Sequence, residues 1–261
     1  MVRVVIFIFL FFLAYTHGHC QNEKDTLRVM TFNILHGATV KNDFNLDTIA
    51  GVINTFKPDL VALQEVDFKT KRAKGYDLPT ELGYRTGMAS LFARAMYYDG
   101  GEYGEAILSR YTFIGSENLG LPHLPTSEPR AALVTRISTS NGNIIQFVGT
   151  HLDHLKENTD RKMQAKALID KLGGTPYPTI IAGDLNDGAD SETLQILKSR
   201  FSKPQIPEAI ANTWPSDGPK RNLDHILINK TEQWEVFDYT VHCENYASDH
   251  CVVIATLVFT P

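Results

Sequence analysis

Short apolar runs that end in carboxylates, amides or imidazoles recur along this chain, and they constrain its fold more than any other feature. The clearest is PTIIAGDLND, residues 178–187, where a buried-type strand runs straight into Asp184, Asn186 and Asp187. LRVMTFNILHG ends near Asn33 and His36, DLVALQEV ends in Glu65, and NIIQFVGTHLDH ends at His151 and Asp153. Other runs carry polar residues at their heads: Tyr103 and Glu105 in YGEAILSRY, Arg130 in RAALVTRIST, Asp224 in RNLDHILIN, and Asp249 with His250 before CVVIATLVF. Between them, Ile49, Val52, Ile53 and Phe56, and later Ala165, Leu168, Ile169 and Leu172, fall on single helix faces. Lys57 and Pro58 stop the first of these helices. The pattern predicts one strand-rich α/β unit punctuated by helices.

One polar strand end is ordinarily a turn, because Asp and Asn suit turns. A series of them built from the same residue types points to a shared site on rigid elements. Carboxylates, amides and histidines without a cysteine cluster favour a hard cation over structural zinc. DLNDGAD begins like a calcium loop, but counting from Asp184 the glycine falls fifth and Gln195 twelfth. A helix–loop–helix calcium site needs Gly sixth and Glu twelfth, so that reading fails.

The N-terminus reads differently. Arg3 precedes an unbroken apolar run from Val4 to Tyr15, shorter than the roughly 20 residues of a membrane-spanning helix. Residues 1–20 are therefore expected to be a signal peptide, with 21–261 as the mature domain, secreted or periplasmic. A lipid anchor on Cys20 is less favoured, because His19 precedes it. Outside the cytosol Cys243 and Cys251 can pair across ENYASDH or stay as buried thiols. The balance of 25 basic and 30 acidic residues gives a net charge of −5, which argues against a protein that lives on polyanionic nucleic acid. KTKRAKG, residues 69–75, is a basic cluster that reads first as a solvated loop.

TFNI, LQEVD, YGEAILSR, GTHLD, GDLN, LDHI and SDH, in this order, resemble the endonuclease/exonuclease/phosphatase superfamily of deoxyribonuclease-I-like phosphoesterases. The resemblance covers nearly all of the chain after the leader. It implies a four-layered α/β/β/α sandwich of two packed mixed sheets with outer helices, and hydrolysis of phosphate esters with Mg²⁺ or Mn²⁺. Glu65 resembles the main metal ligand, with Asn33 beside it and Asp249 as a second metal-side carboxylate. Asp184 resembles the residue that aims the attacking water. Asn186 resembles the amide that holds a phosphate oxygen. His250, oriented by Asp224, resembles the histidine that stabilises the transition state. His151 resembles a second histidine paired with Glu105 beside Tyr103, and Arg130 a phosphate-binding arginine. His36, His154, His225 and His242 match no role and read as core or surface residues.

The expected reaction is in-line attack of water on a phosphodiester, with His250 and His151 as imidazolium donors. The family does not fix the substrate. Residues 82–105, rich in aromatics and glycine, are a candidate lining for an organic head group. The expected partner is a phosphate ester of the phospholipid or sugar-phosphate type, a membrane-lipid head group included. A scavenging nuclease is the alternative enzyme, and a non-catalytic binder on the same scaffold is the alternative outside enzymes. No obligate protein partner is implied.

Overall fold

Alternation along a few central strands sets the layering. The computed structural model describes residues 23–204, 211–231 and 233–261; the leader and Cys20 lie outside the described residues. In β1 (Asp25–Asn33), Leu27 and Val29 face one side while Met30 and Phe32 face the other. In β2 (Leu60–Phe68), Leu60 and Ala62 oppose Val61 and Leu63 in the same way. These strands are apolar on both faces, as expected of parallel neighbours covered on both sides. They pair in parallel and are joined through α1 (Leu46–Phe56), since parallel strands need a crossover. The unit recurs as β7 (Ile144–His151), α3 (Thr159–Leu172) and β8 (Thr179–Asp184), with β7 and β8 again parallel.

Each parallel pair lies in the middle of a six-stranded mixed sheet. The first sheet has the order β11 (Trp234–His242), β12 (Val252–Phe259), β1, β2, β4 (Gly101–Ser109), β3 (Ala89–Tyr98). The second runs β5 (Thr112–Leu121), β6 (Arg130–Ser138), β7, β8, β10 (Asp224–Asn229), β9 (Phe201–Ser202). Leu27, Leu60, Ile107, Phe147, Ile180 and Val253 belong to the buried cluster between the sheets. α1 and α2 (Leu78–Thr86) cover the outside of the first sheet, and α3 and α4 (Glu192–Leu197) that of the second. The architecture is the expected four-layered sandwich.

Local chemistry fixes the boundaries. The side chain of Asn45 accepts from the Thr48 amide to start α1, and Lys57 ends it in a left-handed conformation before Pro58. Ile49, Val52 and Ile53 are buried, and Phe56 packs on them. Residues 82–105 resolve into the end of α2, the hairpin of β3 and β4, and the turn between them; Phe92 packs on the core and stacks on Phe68. A disulfide joins Cys243 to Cys251 and closes the loop that carries His250. Among the described residues, no helix is long and apolar enough to cross a membrane.

The same alternation that builds the core places the polar residues. Asn33 continues the series Leu27, Val29; His151 continues Ile145, Phe147; Asp184 continues Ile180, Ala182; and Asp224 precedes Ile226 and Ile228. All four lie on the inner faces, at one end of the seam between the sheets, because side chains alternate with period two. Gly183 lets this end close up, since a Cβ there would stand 2.0 Å from the carbonyl oxygen of Thr150.

Glu65 breaks the alternation and is not a strand end. β2 runs on to Phe68, and its pairing with β4 shifts register between Leu63 and Val66. Glu65 sits in that irregularity at φ 56°. A bulge re-aims a side chain that would otherwise face the helices. Tyr103 and Glu105 likewise lie inside β4 rather than at its head.

Candidate active site

Asp184 is the hub. It is the register partner of His151 on β7 and of Asp224 on β10. Its Oδ1 accepts from the Asn186 backbone amide at 2.9 Å. Its Oδ2 accepts from Asn33 Nδ2 at 3.3 Å and lies 3.5 Å from His151 Nε2 and 3.7 Å from His250 Nε2. Burial and the charge of Asp224 push its carboxyl up to about 7, against the opposing effects of His250 and the amides of Asn186 and Asn33.

His250 bonds through Nδ1 to Asp224 Oδ2 at 2.9 Å, so its ring orientation is fixed. Burial works against its charge, but the carboxylates of Asp224 and Asp184 dominate and raise it to about 10. It is an imidazolium at neutral pH, and Nε2–H faces Asp184.

His151 departs from expectation. Its Nδ1 lies 3.1 Å from Arg130 Nη1. Burial first, and Arg130 second, hold it well below the ordinary histidine range, so the ring is neutral. An arginine only donates, so Nδ1 is the acceptor and the ring proton sits on Nε2. That nitrogen is 3.0 Å from Asn186 Nδ2, and Asn186 Nδ2 donates to the Leu152 carbonyl at 3.1 Å. Two donors converging on one point suit an anionic oxygen placed against both. The expected Glu105–His151 dyad is absent. Glu105 is fully buried, neither of its oxygens has a hydrogen-bond partner, and burial drives its carboxyl well above the ordinary range. Arg130 occupies the side of the imidazole where that carboxylate was expected. Arg130 also reaches Glu128 at 3.0 Å and His154 at 3.1 Å. Tyr103, buried beside it, lines the cleft with its phenol pushed up by burial.

Glu65 faces the same centre. Its Oε1 accepts from Asn33 Nδ2 at 3.1 Å, and its Oε2 lies 3.5 Å from His36 Nδ1. Burial opposes its charge, yet the side chains of His36 and Asn33, with the charge of His250, hold it down to about 2. One amide nitrogen thus lies within about 3.3 Å of both Glu65 and Asp184. Two carboxylates converging on so small a space, with an amide beside them, fit a hard divalent cation such as Mg²⁺ or Mn²⁺. Asp184, Asp224 and His250 also bring one potential ligand atom each within 4.8 Å of one another. That trio is the poorer cage, because the protonated His250 has no free lone pair and Asp224 is committed to it.

Asp249 has a different occupation from the metal-side role expected of it. Its Oδ2 accepts from Trp214 Nε1 at 3.1 Å, and its carbonyl accepts from the Ser216 amide. Its side chain does not line the cleft. His36 and His154, unassigned from the sequence, line the cleft instead; both follow site residues by three positions, which was the available signal. His225 is buried and His242 packs edge-on to Phe56, as expected. Arg72 belongs to a cluster that the sequence presents as a solvated loop, but it too lines the cleft, along with Tyr98, Trp214 and Arg221. The cleft encloses about 440 Å³, enough for a small organic head group. His36, Glu65 and Asn186 hold φ of 47°, 56° and 51°. Such left-handed residues cost roughly 1–3 kcal/mol each and cluster at functional sites.

Two packed six-stranded sheets with carboxylates, amides and imidazoles gathered at one end of the seam define a deoxyribonuclease-I-like hydrolase scaffold. A family model described as the endonuclease/exonuclease/phosphatase family matches residues 30–250, and the chain belongs to that family. It is 26% identical over 255 residues to the uncharacterized protein YbhP of Escherichia coli (strain K12), covering 91% of this chain and 98% of that one. The mannosyl-6-phosphatase Bt3783 of Bacteroides thetaiotaomicron has a similar fold, with a TM-score of 0.72, 19% identity and coverage of 89% and 100% of the two chains. So has D. rerio TDP2 complexed with a single-strand DNA product, with a TM-score of 0.70, 20% identity and coverage of 89% and 98%. Family members are hydrolases that include phosphatases and nucleases.

Proposed function

We propose that the protein is an exported, divalent-cation-dependent phosphoesterase that hydrolyses a phosphodiester of the phospholipid or sugar-phosphate type. The observation that carries this reading is the convergence on Asp184 of a protonated His250, a neutral His151 and the Asn33–Glu65 pair. Glu65, with Asn33 beside it, would hold the cation, which when bound supplies positive charge to the phosphate and its developing oxyanions. Asn186 Nδ2 and His151 Nε2–H bind one phosphate oxygen. Asp184 orients a water in line with the scissile bond and takes its proton. His250, fixed by Asp224, donates to an oxygen whose charge grows in the transition state. No covalent enzyme intermediate is required.

Export is supported by the apolar N-terminal run and by the Cys243–Cys251 bridge, since disulfides persist in oxidising compartments. The net charge of −5 favours a small ester over a nucleic acid. The test is a cation-dependent assay on bis-p-nitrophenyl phosphate beside the monoester, followed by sphingomyelin and plasmid DNA. Cation-dependent turnover of the diester is expected. Plasmid cleavage without small-ester turnover would move the assignment to a nuclease, and ligand binding without turnover of any substrate to a non-catalytic binder.

A further inference from the structure

Arg72 stands in the cleft wall and takes no part in the chemistry above. It lies in the turn between β2 and α2, and it is immobilised from four directions. Nε and Nη2 donate side-on to the two oxygens of Asp67 at 2.7 and 2.8 Å. Asp67 is fully buried and also accepts from Thr70 Oγ1 at 2.6 Å. The Arg72 backbone amide donates to Asp99 Oδ2 at 2.8 Å. The guanidinium carbon sits 4.5 Å from the ring centre of Tyr98 and 5.5 Å from that of Tyr103. Arginine has five N–H donors, and the side-on pair consumes two. The Arg72 side chain keeps 30% of its exposure, within the same cleft as Glu65, Arg130, Asp184 and His250.

A simple staple between the 69–76 turn and β2 would need the Asp67 pair alone. It would not need an aromatic bed that holds the remaining N–H groups in the cleft. A rigid fork with spare donors matches phosphate and carboxylate geometry, and preorganised donors lose little freedom on binding. We infer that Arg72 clamps a second oxyanion of the substrate, so the preferred ester carries a further phosphate or carboxylate besides the one attacked. The inference rests on the phosphoesterase reading of the cleft and deepens it.

The test uses Asp184→Asn protein, so that bound esters persist, with Mg²⁺ in excess. Fructose 1,6-bisphosphate and fructose 6-phosphate are titrated by calorimetry. With Arg72 intact, the bisphosphate should bind about 10-fold more tightly or better, the scale of charge-assisted fork bonding. Arg72→Lys should abolish that preference while leaving the monophosphate within about twofold. Because an unpaired buried Asp67 can unfold the protein, Asp67→Asn/Arg72→Gln provides a charge-balanced second variant with the same expected outcome. An unchanged preference in either folded variant overturns the clamp. So does equal loss for both sugars, which would put Arg72 on the scissile phosphate, and so does the absence of any bisphosphate preference with Arg72 intact. A preserved bisphosphate preference in a wild-type protein that hydrolyses no ester would sink the phosphoesterase reading and leave the clamp standing.

Discussion

Nδ1 of His151 lies 3.1 Å from Nη1 of Arg130, where a carboxylate would have made the ring a cation. The arginine does the opposite: after burial, it is the main reason the ring stays neutral. Arg130→Met should therefore raise the His151 pKa part of the way towards its ordinary value. Burial, the larger cause, remains. Proton NMR of the imidazole ring checks this, and an unchanged titration would remove Arg130 as a cause. Turnover should fall by about 10- to 100-fold, as expected when a positioned donor set is disturbed.

Asp184→Asn and His250→Ala should each leave the fold intact and lower kcat by at least about 10³-fold, with smaller effects on KM. Both groups act mainly on the attacking water and the transition state, so the loss belongs in kcat. Steady-state kinetics on bis-p-nitrophenyl phosphate, with circular dichroism as the folding control, decide the matter. Near-normal turnover in either variant contradicts the mechanism.

Much of this arrangement was legible in the sequence, for a physical reason. Period-two alternation ties Asn33, His151, Asp184 and Asp224 to the apolar residues before or after them, so a reader who finds the core strands finds the site. Elements that break alternation were harder to read. Glu65 owes its direction to a register shift at φ 56°, which no periodicity reveals, and its strand was read as ending too early. Arg130, at the start of its strand, could reach several partners; its choice of His151 over Glu105 depends on three-dimensional packing. Asp249 and His250 are neighbours in one loop, and only the Trp214 contact separates their roles. Arg72 looked like one more lysine-rich turn residue because its partner, Asp67, lies on the preceding strand.

Glu65→Gln should raise the Mg²⁺ concentration needed for half-maximal activity by about 10-fold or more, because a neutral amide supplies no charge to a hard cation. Activity at saturating Mg²⁺ should recover substantially. A metal titration on the variant measures both, and an unchanged midpoint would place the cation elsewhere.

The His250–Asp224 pair predicts a pH dependence with a definite sign. The folded-state value, about 10, is raised above the ordinary 6.5. The pair's contribution to stability is thus fully present below about 6.5 and is lost as pH rises through about 10. The alkaline limb of the rate profile should likewise lie near the upper value. Asp224→Asn removes the main raising influence, so both the limb and the stability loss should move towards neutrality. Thermal unfolding and kcat/KM measured from pH 6 to 10.5 test this. A limb that stays put in the variant would assign it to another group.

The last expectation concerns Glu105, which the dyad reading would make essential for a poor leaving group. The structure gives it no partner for either oxygen, and burial raises its carboxyl well above the ordinary range, which favours the protonated form. Replacing a neutral carboxyl with a neutral amide of the same shape changes little electrostatically. Glu105→Gln should therefore keep activity within about threefold on both an alkyl diester and a p-nitrophenyl ester, since the charge near His151 is unaltered. Stability should respond in a particular direction. A carboxyl whose folded value is raised makes the native state bind more protons than the unfolded chain, so wild-type stability declines as pH rises above the ordinary carboxylate range. The glutamine variant lacks that decline, and its Tm should exceed the wild type's by a margin that widens from pH 5 to pH 8. A selective loss on the alkyl diester would show instead that substrate draws Glu105 onto His151 and restores the carboxylate–imidazole pair. The two outcomes are separated by one substrate comparison and one unfolding series.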